Sequence, residues 1–297
     1  MKIAILYGGK LKSQISEKNA KGIYFDAIKK LPEGDINFCH VDGVGNIYEG
    51  KLRSSIHKIF PKLDAIIDTT HEHSERATHH ELAYKLGIRL VFANDVDNHE
   101  YRKVLSQLDI NHPEHFIIKK EEGQSGELTE ILHTMWRKVH MPITIKSVKN
   151  ISSKLLTYSP LEALNHILDI HKKDDDALID VSPVGKIFTV INIKKYGGQE
   201  YYNTPIVEIF ENSKNRNLHT SYYPATHLSQ RVKDDIYKKS HEVSRHIVDK
   251  LVKIDFCIGR KNKLIVTHVH TKINYHEGEV AHSIFKDYGI NILDAVI

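Results

Sequence analysis

Two histidines separated by one residue, His268 and His270, are the residues in this sequence best suited to chemistry. They lie in an apolar, β-branched stretch that predicts a strand, and side-chain alternation then places both on one sheet face. Asp255 lies in a preceding predicted strand, and a two-residue turn at Lys261–Asn262 would bring it opposite His268. Two imidazoles and a carboxylate are ligands that suit zinc, iron or another transition ion.

The histidines also allow a simpler interpretation, in which His268 and His270 line an open, hydrated cleft without a metal ion. A second cluster follows the end of another predicted strand, where α/β folds place ligands. Its members are His71, His73, His79 and His80. This second cluster is equally typical of a solvated loop and the start of a helix.

Length and composition limit the possible functions. The chain has 297 residues, enough for two or three compact units, and 40% hydrophobic and 27% charged residues indicate a globular protein. No apolar run approaches a membrane span and the N-terminal apolar segment is short for a signal peptide, so we expect a cytoplasmic protein without a membrane partner. Two cysteines fit a reducing compartment. The net charge of +4 with no dense basic tract argues against nucleic acid as a partner.

The first 95 residues alternate between predicted strands and helices, which predicts a parallel sheet covered on both faces. The first strand ends at Gly8–Gly9, which indicates either a tight turn or a nucleotide-binding turn without the full GxGxxG spacing. Residues 51–63 are predicted to form a helix. Further on, α+β character is expected, with a strand carrying Lys146 and a polar loop from Gly197 to Thr226.

Four segments in this order resemble the D-alanine–D-alanine ligase family of the ATP-grasp superfamily. They are "KIAILYGG" with the helix after it, "PITIKSVKNISSKLL", "VKIDFCIGRKNKLIVTHVHT" and "HSIFKDYGI". The resemblance spans nearly the whole chain. It implies an ATP-grasp fold with a Rossmann-like N-terminal domain at 1–95, a central subdomain at 96–180 and a C-terminal domain at 181–297.

The resemblance also implies a chemistry. In this family ATP phosphorylates the carboxylate of one D-amino acid, and the amine of a second attacks the acyl phosphate. The implied cofactors are ATP and Mg²⁺, the implied partners are a nucleotide and amino-acid substrates, and a homodimer is expected by analogy. Such a site needs cations on the phosphates and oxygen ligands for the metal.

Position by position, several residues keep the character the family requires. Lys146 matches the lysine that contacts the nucleotide phosphates, and Ser152 matches a loop serine near the substrates. Asp180 falls where an acidic residue begins the nucleotide hinge. Asp255 matches the first magnesium carboxylate. Lys253 takes the place of an arginine that stabilises the developing oxyanion, which keeps the charge but loses the planar fork.

Other positions differ from the family in charge or ligand type. Gln14 replaces a glutamate that would hold the first substrate's ammonium group, and Ile187 replaces a glutamate that would contact the ribose. His268 and His270 replace the glutamate and asparagine that would bind Mg²⁺. Glu279 likewise replaces a serine that would meet the substrate carboxylate. Glu100 stands where a second phosphate-binding lysine is expected, and its neighbours Arg102 or Lys103 could substitute for it.

These substitutions predict a D-alanine–D-alanine ligase-like protein with weak or no standard ligase activity. One alternative is an active ATP-dependent ligase that joins a carboxylate to an amine and makes a D-Ala-D-Ala-like dipeptide for the cell wall. The other is a protein that binds a transition metal such as Zn²⁺ through Asp255, His268 and His270.

Overall fold

The computed structural model describes most of the chain in separate ranges. They are residues 1–9, 13–42, 46–49, 52–54, 60–70, 80–91, 98–121, 130, 133, 136, 142–148, 154–181, 185–194, 200–210, 221–247, 250–259, 263–277 and 279–296. Within them the helices are α1 (Ser13–Ala27), α2 (Asn98–Gln107), α3 (Pro160–His171), α4 (Gln230–Arg245), α5 (Val280–Asp287) and α6 (Ile292–Val296), with 3₁₀ turns at Glu33–Asp35 and Phe60–Lys62.

The first sheet is mixed: four of its six strands have the predicted parallel arrangement, and the other two are added by antiparallel pairing. Its strands are β1 (Ile3–Gly8), β2 (Ile36–Val41), β3 (Ile47–Glu49), β4 (Leu52–Ser54), β5 (Ala65–Asp68) and β6 (Arg89–Val91), in the order β4-β3-β2-β1-β5-β6. Strand β1 runs parallel to β2 and β5, and β5 runs parallel to β6. Because both faces of β1 are covered, its residues form a nearly continuous buried apolar run.

Strand β1 ends in a glycine turn that other residues would fit poorly. Gly8 and Gly9 have φ angles of +107° and +91°, a backbone region that L side chains rarely adopt. A Cβ atom on Gly8 would also lie 2.3 Å from the carbonyl oxygen of Val41. The turn therefore needs glycine at Gly8 for space as well as for backbone conformation.

The second sheet is antiparallel and belongs to the middle of the chain. Its strands are β7 (His115–Ile118), β8 (Ile143–Ser147), β9 (Lys154–Thr157) and β10 (Ala177–Val181), in the order β7-β10-β8-β9. Helix α3 begins at Pro160 after an N-cap in which Ser159 accepts a hydrogen bond from the Glu162 amide. Its apolar face, with Ala163 and Ile167, packs in the core formed by this sheet.

The third sheet contains the remaining strands. They are β11 (Gly185–Lys194), β12 (Tyr201–Asn203), β13 (Val207–Phe210), β14 (Ser221–Pro224), β15 (Leu251–Gly259) and β16 (Leu264–His270). The order is β14-β13-β11-β15-β16, with β12 paired to β11. The chemically interesting residues of β15 and β16 are thus presented by neighbouring strands.

Two local predictions were wrong. The segment from Gly197 to Thr226, predicted as a loop, contains β12, β13 and β14, which form because each finds a strand partner. In the segment predicted as a helix, 51–63, Leu52–Ser54 is a strand paired with β3 and Phe60–Lys62 is a 3₁₀ turn.

The chain divides into two compact units. Unit 1 comprises Met1–Asp95, Thr189–Ile254 and His270–Ile297, and unit 2 comprises Val96–Phe188 and Asp255–Val269. The division into three domains at 95/96 and 180/181 stays a prediction. In the part of the chain that the structure describes, no helix has the length and apolar character needed to cross a membrane.

Candidate functional site

Lys146 and Asp180 are brought together by two neighbouring strands of unit 2. In the β8–β10 register Lys146 is opposite Leu178, and Asp180 lies two residues further along β10. Residues two apart on a strand share a face, so both charged side chains point to the same side of the sheet. Lys146 Nζ donates a hydrogen bond of 2.9 Å to Asp180 Oδ2. The lysine is only 3% exposed, so this ion pair is shielded from water.

Arg102, from helix α2, is a second cation on the same carboxylate. Its Nη2 donates to Asp180 Oδ2 at 2.6 Å, and Nη1 lies 2.6 Å from Asp180 Oδ1. Arg102 is fully buried. One charge-assisted hydrogen bond and one further close contact between opposite charges therefore hold the guanidinium against the carboxylate. Of the two residues considered as substitutes for a phosphate cation, Arg102 is thus held by Asp180 and Lys103 is exposed.

His268, from β16, completes this group, which we call the Asp180 cluster: Arg102, Lys146, Asp180 and His268. The Nε2 atom of His268 lies 3.1 Å from Lys146 Nζ. An ammonium group has protons to donate and no lone pair, so Nε2 is the acceptor and carries no proton in this contact. That nitrogen is therefore already engaged by a cation, which opposes metal binding through it.

Tyr101 connects the helix of Arg102 to the strand of His268. Its hydroxyl group donates to the Thr267 carbonyl oxygen at 3.3 Å and accepts a hydrogen bond of 3.3 Å from Arg102 Nη2. Burial raises the pKa of Tyr101 to about 12; the nearby Asp180 carboxylate also raises it, while Arg102 opposes the shift. The phenol is therefore neutral at physiological pH and helps to fix Arg102 in place.

The three residues predicted to hold a transition metal are not assembled as a metal centre. Asp255 is buried, and its main-chain oxygen accepts a hydrogen bond of 3.1 Å from the Thr267 hydroxyl. Among the described residues, which include Asp255, His268 and His270, no three His, Cys, Asp or Glu side chains are placed to hold a metal ion. The predicted turn at Lys261–Asn262 lies outside the described residues.

Magnesium fits this set of donors poorly as well. At the three positions matched to the family's metal ligands, the chain offers one carboxylate and two imidazoles. Mg²⁺ takes oxygen ligands in near-octahedral geometry and binds imidazole weakly. Since His268 Nε2 also faces the Lys146 ammonium group, a divalent cation at that nitrogen would meet a positive charge.

The other predicted site residues do not belong to the Asp180 cluster or lie outside the described residues. Gln14 is exposed on α1, Lys253 is partly buried on β15 and Ile187 is partly buried on β11. Ser152, His71, His73 and His79, and the side chain of Glu100, lie outside the described residues. Glu279 is the residue that precedes helix α5, and its side chain makes no capping hydrogen bond there.

The carboxyl ends of β1 and β5, in unit 1, carry a second polar group that contains His80. Asp68 is buried and accepts hydrogen bonds from the Thr70 amide at 2.8 Å and the Thr70 hydroxyl at 2.6 Å. His80 Nε2 lies 3.0 Å from its other carboxylate oxygen. Beside it, the Ser16 hydroxyl accepts from the Gly8 amide at 2.9 Å. His80 is thus oriented by a buried carboxylate rather than left in solvent.

Sequence reasoning missed the central contacts of the Asp180 cluster. Arg102 is separated from Asp180 by 78 positions, and His268 from Lys146 by 122. The signal available in the sequence was the occurrence of an acidic residue, Asp180, in an otherwise apolar predicted strand, since a buried carboxylate requires a cationic partner.

No family model matches the chain, and no curated protein matches it significantly. Solved structures do. D-alanyl-alanine synthetase A from Vibrio cholerae has a TM-score of 0.76 at 13% identity, over 97% of this chain and 94% of that one. VanG D-Ala:D-Ser ligase from Enterococcus faecalis has a TM-score of 0.75 at 13% identity, over 99% and 97%.

A third similar structure is D-alanine–D-alanine ligase from Bacillus anthracis complexed with ATP. Its TM-score is 0.72 at 15% identity, over 100% of this chain and 95% of that one. The likeness therefore covers both chains almost completely while few residues are identical. This chain has the ATP-grasp fold of the D-alanine–D-alanine ligases.

Proposed function

We propose that this protein is a D-alanine–D-alanine ligase-like ATP-grasp protein with weak or no standard ligase activity. The observation that carries the proposal is the Asp180 cluster, in which one buried carboxylate holds both Lys146 and Arg102. Lys146 is the residue matched to the nucleotide phosphates. In this arrangement its ammonium group already has an anion and an imidazole as neighbours.

A phosphate group would have to compete with Asp180 for Lys146. If the carboxylate stayed in place, a phosphate about 4 Å away would be repelled by roughly 4 kcal/mol at an intermediate dielectric. If Lys146 moved away, Asp180 would still be held by Arg102, at 2.6 Å. Either way part of the lysine's attraction for a nucleotide is offset within the protein.

The metal positions support the same conclusion. Acyl phosphate chemistry concentrates negative charge, and loss of a single group that stabilises this charge lowers rates by orders of magnitude. Here two imidazoles stand at positions that need oxygen ligands for Mg²⁺. Gln14 and Ile187 replace two further glutamates at substrate and nucleotide positions.

The test is direct. The purified protein is incubated with ATP, Mg²⁺ and D-alanine, phosphate release is followed, and dipeptide is sought by mass spectrometry, with an active D-alanine–D-alanine ligase in parallel. We expect phosphate release no faster than that of the variant Lys146→Met. Turnover near the roughly 1–10 s⁻¹ of ordinary enzymes, abolished by Lys146→Met, would sink the proposal. Lys172→Met, at an exposed lysine of unit 2, serves as the matched control.

An active ligase with other substrates is the second candidate. It is favoured by the retention of a buried lysine and a buried arginine within one cluster, since buried cations often mark anion sites. On this candidate, a nucleotide would displace Asp180 from Lys146, and the acceptor would be a different amino acid or amine. Phosphate release with a panel of D-amino acids, D-hydroxy acids and amines separates the candidates, because the first predicts that release with each of them is no faster than in Lys146→Met.

The remaining expectations follow from the same proposal. A nucleotide and small amino-acid substrates are the partners if the protein is active, a homodimer is the expected assembly, and the cytoplasm is the expected location. The division into domains at 1–95, 96–180 and 181–297 belongs to this proposal too. Limited proteolysis, with mass spectrometry of the fragments, would test those boundaries.

A further inference from the structure

A groove in unit 1 lies between helix α1 and the segment from His276 to Asn291. Its volume is about 730 Å³, within the range of small-molecule sites. Helix α1 and the C-terminal segment are packed closely at its base, where a Cβ on Gly22 would meet the Tyr275 carbonyl oxygen at 2.2 Å. The groove is thus formed by two elements in firm contact rather than by a loose loop.

The lining of this groove is rich in cationic side chains. Lys18, Lys21 and Lys29 come from the α1 side and Lys286 from α5. Two carboxylates, those of Asp26 and Glu277, accompany these four lysines in the lining. Lys21 pairs with Glu17 and Lys29 pairs with Asp26, each at 2.6 Å, so Lys18 and Lys286 are the lining lysines that contribute most to the positive potential of the groove.

The acidic side chain deepest in the groove is already compensated. Asp26 Oδ1 accepts a hydrogen bond of 2.6 Å from Lys29 Nζ, and Oδ2 accepts one of 2.5 Å from the Tyr275 hydroxyl. Tyr275 is almost fully buried, and this bond keeps its proton beside the carboxylate. Asp26 therefore repels an incoming anion less than a solvated carboxylate would.

The groove also offers apolar surface. The Phe25 side chain lines it and is 59% exposed, while Phe285 and Ile290 contribute buried and partly buried apolar surface. Covering an exposed phenyl ring is favourable, because apolar surface is removed from water. A ligand with a flat apolar part would gain this energy, and inorganic anions would not.

We propose that this groove binds a small organic dianion with an aromatic or other flat apolar part, such as a phosphate monoester or a dicarboxylate. Lys18 and Lys286 can each meet one negative charge of the ligand, and Phe25 can pack against its apolar part. The site lies wholly within unit 1 and uses none of the residues matched to the ligase chemistry, so it goes beyond the proposed function. It gives the protein a small-molecule site that does not depend on nucleotide binding.

His282 makes this binding depend on pH. Burial lowers the pKa of His282, Lys286 and His276 lower it as well, and Asp26 and Glu277 oppose the shift. A bound dianion favours the protonated ring, so affinity should rise as the pH falls through the range in which the histidine titrates. The ring packs edge-on against Tyr275, with centroids 5.2 Å apart, so its position is fixed.

The experiment is calorimetric titration of the full chain at pH 7 with four probes. Phenyl phosphate and isophthalate carry the charge and the ring, inorganic phosphate carries only the charge, and benzyl alcohol only the ring. We expect at least one ring dianion to bind with a Kd below about 1 mM, which is roughly 4 kcal/mol. The one that binds tells whether the anion is a phosphate or a carboxylate. The other two probes should bind at least about tenfold more weakly.

Variants connect this binding to the groove. Lys286→Glu should weaken the ring dianion about tenfold, because attraction becomes repulsion, and Phe25→Ala about five- to tenfold. The matched controls are Lys85→Glu and Tyr84→Ala, at an exposed lysine and an 86% exposed tyrosine outside the groove. For isophthalate, which stays dianionic between pH 6 and 8, affinity should rise on acidification and rise less in His282→Gln.

Any one of several results would overturn the inference. One is that neither ring dianion binds at 10 mM, a concentration about tenfold above the expected Kd. Another is that Lys286→Glu and Phe25→Ala both leave the affinity unchanged. A third is that benzyl alcohol binds as tightly as the ring dianions. Reduced affinity in Lys146→Met would place the probes at the nucleotide position instead and would also overturn it. Since ATP is not used, failure here leaves the proposed function untouched, and failure of the ligase test leaves this inference untouched.

Discussion

The ammonium group of Lys146 lies 2.9 Å from Asp180 Oδ2, in a part of unit 2 where the lysine is 3% exposed. Lys146, which the resemblance matches to a phosphate-contacting lysine, is thus paired within its own sheet. Because Arg102 shares the same carboxylate, Asp180 has to balance two cations at once.

Asp180→Asn should strongly destabilise unit 2. The substitution leaves Arg102 and Lys146 buried without the carboxylate, and breaking a buried pair in this way costs about 3–5 kcal/mol. Urea unfolding followed by the fluorescence of Trp136, the only tryptophan and a neighbour of this unit's core, measures the change. Asp169→Asn is the control, because its pair with Lys172 is exposed and surface ion pairs contribute little to stability. Equal stability of the two variants would contradict the central role of Asp180.

Gly22→Ala should destabilise unit 1 although alanine is the better helix former. The added Cβ would lie 2.2 Å from the Tyr275 carbonyl oxygen, and overpacking of this kind costs about 1–3 kcal/mol. Helix propensity alone would instead stabilise α1 by roughly 1 kcal/mol. Gly34→Ala is the control, because a Cβ there meets no atom within 4 Å. The sign of the change in unfolding free energy, measured by circular dichroism, decides between the two effects.

Stability should fall between pH 10 and pH 12, in part through Tyr101. Its folded pKa is raised to about 12 by burial, while an unfolded tyrosine titrates near 10. Between these values the unfolded chain has released the proton that the folded chain keeps, so unfolding becomes easier as the pH rises. At pH 11 the loss is about 1.4 kcal/mol for this residue. Urea unfolding of the natural chain and of Tyr101→Phe, each at pH 9 and pH 11, isolates the contribution of Tyr101. An equal decrease in unfolding free energy in the two proteins would contradict this role.

The fold was predictable largely because strong local patterns agree with it. The apolar run Ile3–Leu6 before Gly8 and the alternation of strands and helices indicated a parallel sheet, and the segments around Lys146 and Asp255 carried the resemblance to the ligases. Strands β12 and β14 have short, polar and aromatic sequences, and they depend on pairing with neighbours rather than on their own pattern.

The site was predictable in part. Lys146 was identified from its strand and its resemblance, and His268 from its spacing to His270. Their mutual contact could not be read from spacing, because the two residues are 122 positions apart and belong to different strands. The sequence indicated Arg102 only as a possible substitute for the phosphate-binding lysine expected at Glu100. Its burial against Asp180 depends on how α2 packs, which local periodicity does not determine.

The close approach of Gly22 to Tyr275 also affects how the chain folds during synthesis. The Asn19 side chain accepts a hydrogen bond from the Tyr275 amide across 256 positions, and Ile292, Leu293 and Val296 complete the core that α1 and β1 begin. At about 5–20 residues per second, the ribosome needs roughly 13–50 s to make the missing residues. During that interval part of the apolar face of α1 lacks its final packing partners, so the nascent chain exposes apolar surface of the kind that chaperones shield.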